Sequence, residues 1–550
     1  MSESPHRNRR LADCSRLSCS SCSATDPNRI CPVGDEVAPV STERQSADLA
    51  TNAFIPLLSF VCGCAALMRV PVLAAALFLL GCSVGPDYRP PRPSVPSAWT
   101  ETNFTVSASA NAKLARWWEN LNDPILDSLV QRAIVSNREL QMAAARVRIA
   151  RALQGTAVAD LLPTIGASAS YMNARRSRNA LAFPVRLIDT ETYQAGFDAS
   201  WEIDLFGGKR RALEAARADL LAVEEELRAV LVSLLAELGR NYVELRGTQR
   251  RLAIAAENIR IQQEMLEITR LRFEKGLASE LDVAQSEALL ASTQAKVPTL
   301  ETTVRRTINR IAVLLGQEPS LLVSELSSDA RIPAPPPEIP ETLPADLLRR
   351  RPDVRRSERQ LAAATARIGV ATAELFPKFI LSGSAAYQSL DTENLVSPDS
   401  KMWSAGPSIR WRLLEFPRLR AQINAQTAQQ EQALAAFEQT VLVSIEEVEN
   451  ALTSYARERK RFDLLQRSVE SSRRALELAN ELYTKGLGEF VNVLLAERTL
   501  FENEDALIQS QTAISENLVA LYKALGGGWD YDSIVHSSTA PNEQNRVTSH

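Results

Sequence analysis

Among side chains that commonly do covalent or acid–base chemistry, this chain of 550 residues keeps few where a site could form. Its three histidines, His6, His536 and His550, all lie in terminal segments. The body therefore has no imidazole to serve as base, nucleophile partner or metal ligand. All seven cysteines, Cys14, Cys19, Cys22, Cys31, Cys62, Cys64 and Cys82, fall in the first 82 residues, which excludes disulfides and thiol nucleophiles from everything downstream. Cys14, Cys19, Cys22 and Cys31 lack the second paired Cys or the His pair that a zinc site needs. Glu446, Glu447 and Glu449 include the residue types of an acid/base pair, but on a long helix they form an exposed face or line a polar lumen. Six arginines between Arg349 and Arg359 invite phosphate. With Pro352 able to open a helix and Asp353 and Glu358 close by, they read instead as a solvated, ion-paired helix start. Gly526-Gly527-Gly528 follows no strand and reads as a helix stop before a flexible tail, not as a phosphate cradle. The charge balance, 62 Lys+Arg against 66 Asp+Glu, carries no polyanion footprint and argues against a nucleic-acid partner.

What remains is Cys82. Met68-Arg69 leads into an apolar run from Val70 to Leu80, closed by Leu79-Leu80-Gly81-Cys82-Ser83. A short basic start, an apolar stretch of about ten residues and a small residue before the cut make a secretory signal. This one resembles the bacterial lipoprotein signal, whose cleavage leaves Cys82 as a lipid-bearing first residue, with Ser83 resembling an outer-membrane address. The alternative is a transmembrane helix from Phe54 to Leu80, interrupted by Arg69. Residues 1–67 precede a signal that must come first, which suggests a start codon assigned too early.

The elements downstream come in two copies. Ala159-Asp160-Leu161-Leu162-Pro163 matches Ala373-Glu374-Leu375-Phe376-Pro377, and Phe273-Glu274-Lys275-Gly276-Leu277 matches Tyr483-Thr484-Lys485-Gly486-Leu487, both about 210 positions apart. The Pro-rich stretch 332–340 between the halves reads as a stiff extended linker. Each half contains two segments of strict alternation, the second clearest: Tyr193, Ala195, Phe197, Ala199, Trp201 and Ile203 in one half, Trp403, Ala405, Pro407, Ile409 and Trp411 in the other. Strands with one greasy, aromatic face and one polar face suit a transmembrane barrel, or a half-buried sheet in a soluble domain. After Gly208 and after Pro417 the chain runs about 67 residues without proline, rich in Ala, Leu, Glu, Gln and Arg. At ~1.5 Å per residue such a helix is about 100 Å long, which no ordinary globular domain uses. A second, shorter helix returns after each glycine, and in the last one Leu500, Leu507, Ile514 and Leu521 repeat every seven. Four strands cannot close a barrel, and an open edge in lipid leaves backbone groups unpaired, so the chain must oligomerise. A trimer gives twelve strands.

From Cys82 to about Trp529 the chain resembles the TolC-type outer membrane factors, nearest to the NodT-like lipoproteins that serve resistance-nodulation-division (RND) efflux systems. The motifs that carry this are Val84-Gly85-Pro86-Asp87-Tyr88, Trp117-Trp118 with Asp123-Pro124, Trp201-Glu202-Ile203-Asp204-Leu205-Phe206-Gly207, and the run Leu347 to Arg355. The resemblance implies a mainly α fold with a transmembrane β-barrel portion: duplicated halves, a trimeric 12-stranded outer-membrane barrel, and a long periplasmic α-helical barrel girdled by an equatorial domain. It implies an exit duct with no catalytic residue, cofactor or metal, working with a periplasmic adaptor and an inner-membrane RND pump. A protein-secretion duct of the same fold and a structural coiled-coil envelope lipoprotein are the alternatives. On this reading 68–81 is the signal, 82–331 and 341–528 are the halves, and 529–550 is a flexible tail.

The resemblance also assigns sites. Lys275, Gly276, Leu277 and Lys485, Gly486, Leu487 would be the tips that meet the adaptor. Relatives often carry acidic residues shortly after the second-half glycine; here those positions are Asn492 and Leu495, while Asp282 follows the first-half glycine. Three copies of Leu495 facing a narrow axis would close it by dewetting, unless Leu495 packs between helices.

Overall fold

A computed structural model describes residues 83–100, 106–107, 114–175, 177, 189–328, 331–336, 339–340 and 344–529. Cys82, the signal, the cysteine-rich start and residues 530–550 lie outside them.

The first half opens with a two-residue strand, β1 (Val106–Ser107), and a 3-10 turn, Trp117–Leu121, that buries both tryptophans. Helix α1 (Pro124–Ser136) is capped by Asp123, whose Oδ1 accepts from the N–H groups of Ile125 and Leu126, with Pro124 in the first turn. Helix α2 (Arg138–Ala159) leads into strands β2 (Thr164–Ala174) and β3 (Thr190–Ile203). The long helix α3 then runs from Gly208 to Glu274. The return stroke is not the single helix expected. It is two, α4 (Glu280–Gln294) and α5 (Val297–Leu314), because Pro298 cannot continue the first and instead sits in the opening turn of the second. A single helical turn, α6 (Val323–Leu326), closes this half.

The stretch 331–336 carries no regular structure, and β4 (Ile339–Pro340) pairs in parallel with β1. The linker is packed rather than free: Ile332 is buried and the Pro333 carbonyl accepts from Ser515 Oγ at 2.9 Å. Helices α7 (Pro344–Arg350) and α8 (Pro352–Ala373) precede strands β5 (Lys378–Ser389) and β6 (Lys401–Arg410). The second long helix, α9 (Phe416–Thr484), returns as one unbroken α10 (Phe490–Ala524).

Strands β2, β3, β5 and β6 form one antiparallel sheet in that order. Its register aligns the alternation of all four strands: Ala167, Phe197 and Ala385 stand opposite one another on one face, as do Trp201, Leu381 and Pro407. The other face is mostly small or polar, with Met172, Ile380 and Met402 its larger apolar members. Trp201 Nε1 donates to the Leu161 carbonyl and Trp411 Nε1 to that of Leu375, both at 3.0 Å, so each half ties its second strand to its preceding helix identically. Helix α8 packs on both α3 and α9, while α10 bridges α3 and α9 further along. The largest buried cluster gathers Trp117, α1, α3, α5, α9 and α10, with Trp117 stacked on Tyr522 at 5.5 Å. Among the described residues no helix is long and apolar enough to cross a membrane.

Trp529 does not begin a free tail. Its ring lies between the guanidiniums of Arg228 and Arg355, 5.3 and 5.4 Å from its centroid, and its Nε1 donates to the Arg350 carbonyl. Both arginines pair with the buried Glu225. The helix stop at Gly526 is as expected, with Gly527 N–H bonded to the Tyr522 carbonyl.

Candidate functional site

Helices α3 and α9 end alike. Leu277 N–H bonds to the Arg272 carbonyl at 2.8 Å and Gly276 N–H to Phe273, while Leu487 N–H bonds to Leu482 at 2.9 Å and Gly486 N–H to Tyr483. These are Schellman stops, which require a left-handed residue. Gly276 and Gly486 supply it at φ +70° and +69°, and a side chain at either would meet nothing within 4 Å. The glycines are therefore needed for conformation, not for room. The following leucines project outward, Leu277 at 69% and Leu487 at 74% exposure, beside the exposed Lys275 and Lys485. The two turns lie at the same end: the Arg272 guanidinium sits 4.4 Å from the Tyr483 ring centroid, and Tyr483 packs on Phe490. No local spacing rule in the sequence points to that cross-hairpin contact.

Asp282 forms a capping box at the start of α4. Its carboxylate accepts from Ser279 N–H and Oγ, both at 2.9 Å, and Ser279 Oγ accepts from Asp282 N–H. Asn492 is exposed, and so is Leu495, at 55%. Within this protomer Leu495 does not pack between helices.

Glu497, two residues on, escaped sequence reasoning because a single Glu in a helix carries no signal of burial. It sits on the buried face of α10 between Leu494 and Phe501, with Oε2 unpartnered. Burial alone pushes its carboxyl up to about 7. The folded state thus holds a proton that the unfolded chain releases near pH 4.5, so stability falls as pH rises between 4.5 and about 7. We expect the wild type to lose about 3 kcal/mol across that window and Glu497→Gln to lose almost none. Denaturant titrations at pH 5 and pH 8 measure the difference, and equal slopes for the two proteins would reject it.

The acidic group on α9 lies on an exposed face, as expected, but two of its members also have partners within the protomer. Glu447 pairs with Arg351 at 2.6 Å, and Glu449 accepts from Thr100 N–H and Oγ1 at 3.0 Å; Glu446 is exposed. Arg351 corrects the solvated reading of the arginine run, being 7% exposed.

The Val84 to Tyr88 motif is bolted to the junction of sheet and helices. Val84 N–H bonds to the Phe206 carbonyl, and the buried Arg211 donates to the Val84 carbonyl and to Asp87 and Glu214. Tyr88 Oη donates to Glu358. Ser83 abuts Gly207, whose φ of +79° opens α3, so the residue following Cys82 stands where β3 meets α3. Among the described residues no group of acidic, His or Cys side chains is arranged to hold a metal.

A duplicated strand-pair and long-hairpin architecture of this kind matches known proteins. The family model described as outer membrane efflux protein matches residues 129–317 and 343–527. The chain belongs to that family. Nodulation protein T of Rhizobium leguminosarum bv. trifolii is 32% identical over 455 residues, 83% of this chain and 96% of that protein. The pyoverdine export outer membrane protein OpmQ of Pseudomonas aeruginosa is 31% identical over 472 residues, 84% of this chain and 98% of its own length. Among solved structures, the outer-membrane channel OprN superposes with a TM-score of 0.76 at 38% identity, covering 82% of this chain and all of that one. CusC does so with 0.70 at 28%, covering 81% of this chain and again all of that one. The two matched segments coincide with the two structural copies.

Proposed function

We propose that the protein is the outer-membrane exit duct of a tripartite RND-type efflux system, passing small molecules from periplasm or inner-membrane pump to the exterior. One observation carries the assembly: the amphipathic four-stranded sheet has two open edges, β2 and β6. In lipid each unpaired backbone group costs several kcal/mol, so β6 of one copy must pair with β2 of the next. That contact is head-to-tail and closes as a ring, which for three copies is a barrel of twelve strands. The duct is passive, without catalysis or cofactor, and its partners are a homotrimer, outer-membrane lipids, a periplasmic adaptor and an inner-membrane RND pump. Cys82 is its lipid-bearing first residue; Ser83 beside Gly207, at the sheet's helical end, supports a lipid held at the membrane surface. A protein-secretion duct and a coiled-coil tether are disfavoured, the tether because it needs no two-faced sheet.

A cysteine introduced in β2 and another in β6 test this directly, since the body has no thiols of its own. Oxidised outer membranes should yield a cross-linked trimer that survives unfolding, and mass spectrometry should find an acylated Cys82 at the amino terminus. Cross-linking confined to monomers would reject the ring.

The exposed tips Lys275 to Leu277 and Lys485 to Leu487 are the adaptor contacts in this reading. The resting duct is closed near Asp282, Asn492 and Leu495, with Leu495 the apolar seal. Leu495→Ser in planar bilayers should raise single-trimer conductance severalfold. Asp282→Asn, whose amide still caps α4, should mainly change cation preference. Unchanged conductance in well-assembled Leu495→Ser trimers would reject the seal.

A further inference from the structure

On the polar face of the sheet, charges are confined to two levels. Near the helical end, Lys378 pairs with Glu374 at 2.5 Å and lies 3.8 Å from Glu202, and Arg412 lies 3.6 Å from Glu374. Arg410 stands opposite Lys378 in register, so that level holds three cations against two carboxylates. Midway along β3 stands Asp198, in register with Gly166 on one side and with Ser384 and then Ser404 on the other. It is exposed, and no cation among the described residues pairs with it. Its carboxylate oxygens lie 3.1 and 3.2 Å from where a Cβ on Gly166 would be, so the neighbouring strand leaves space for the acid. The hydroxyls of Ser384 and Ser404 bond to each other at 2.8 Å rather than to Asp198. Of the residues in phase with it on the four strands, the rest between this level and the outer end are uncharged, from Ser168 and Ser170 to Gln194 and Gln388.

A lone carboxylate in a hydroxyl-lined band, with no cation among the described residues paired to it, sets a local negative potential. We propose that Asp198 is a selectivity-determining residue of the duct, a fixed-charge ring within the barrel that favours cationic solutes, amines above all, over anions. This rests on the trimeric-duct reading, in which the polar face lines the lumen and three copies of Asp198 share one level. It is separate from the tip residues, which lie beyond the whole length of α3. The ring acts through water, so salt governs it: screening lengths are about 30 Å at 0.01 M and about 3 Å at 1 M.

The test uses wild-type and variant trimers in planar bilayers, with spermine as a cationic probe added to the barrel side or the tip side. Asp198→Asn should weaken barrel-side block about tenfold at 0.01 M salt and hardly at 1 M, with tip-side block unchanged. Asp198→Glu should block as the wild type does. Should Asp198→Asn assemble poorly, Asp198→Cys carries the test: a sulfonate-bearing thiol reagent should restore block and an ammonium-bearing one should not. Barrel-side block equal in wild type and Asp198→Asn, or restored by either reagent alike, would overturn the ring and leave the duct standing. A wild type that forms no channels would instead overturn the duct.

Discussion

Cells that rely on the Leu277→Asp, Leu487→Asp double variant for export should lose efflux altogether while still making normal trimers. Both leucines follow the left-handed glycine of a helix stop, and their backbone bonds to Arg272 and Leu482 do not depend on the side chain. Their side chains are 69% and 74% exposed, so aspartate removes little packing from the protomer. A carboxylate near a helix C-terminus opposes the helix dipole, a cost of about 0.3–1 kcal/mol that a trimer of this size absorbs. A partner docking on these leucines would have to bury six unpaired carboxylates per trimer, each at a cost of a few kcal/mol. The sum far exceeds what a transient contact supplies. Drug susceptibility and the heat-resistant trimer band are the two readouts. Full resistance in the double variant would remove the tips from the adaptor contact, and loss of the trimer band would make these leucines structural.

The contrast between tip and core marks what local pattern can disclose. The strands, the long helices and the glycine turns are written in periods of two, of three to four, and of single residues, so each is legible without knowing its neighbour. The break in the first return stroke was legible too, in Pro298, but the helical period around it outweighed one residue. The exposure of Leu495 and the burial of Glu497 were not, because neighbours on one helix differ only by which side meets α3 and α9. Arg211 and Arg351 were hidden for the same reason. Each is one of many arginines on charged helices, and what distinguishes them is acceptors over a hundred positions away, the Val84 carbonyl for one and the Ala524 carbonyl for the other. The adaptor tips and the lipid site came from likeness to a family, and their roles await the variants above.

Arg351→Ala should destabilise the protein by about 2–3 kcal/mol, since it removes a buried guanidinium with several charge-assisted bonds but leaves carboxylates that are 33% and 48% exposed and so only partly stranded. Arg351 sits between α7 and α8 and ties together three elements. Its guanidinium grips Asp353 through Nε and Nη2 at 3.0 and 2.6 Å, pairs with Glu447 of α9 at 2.6 Å and donates to the Ala524 carbonyl at the end of α10. Burial pushes the Asp353 carboxyl up, but the guanidinium and the backbone N–H of Val354 outweigh it and hold the group below the usual carboxylate range. A depressed carboxyl contributes stability above its unfolded value, near pH 4, that is lost as acid protonates it in the fold. The wild type should therefore weaken below pH 4 in a way the variant does not. Arg351→Lys should recover only part of the loss, since an ammonium cannot make the planar two-point grip or reach three acceptors in one plane. Combining Arg351→Met with Glu447→Gln should cost less than the sum of the single changes, because one of the two carboxylates left without the guanidinium is then gone. Denaturant unfolding of detergent-solubilised trimers measures the wild type and each of these variants, the two single changes included. A loss under about 1 kcal/mol for Arg351→Ala would place this arginine among ordinary surface ion pairs and return the run to the solvated helix start that its sequence suggests.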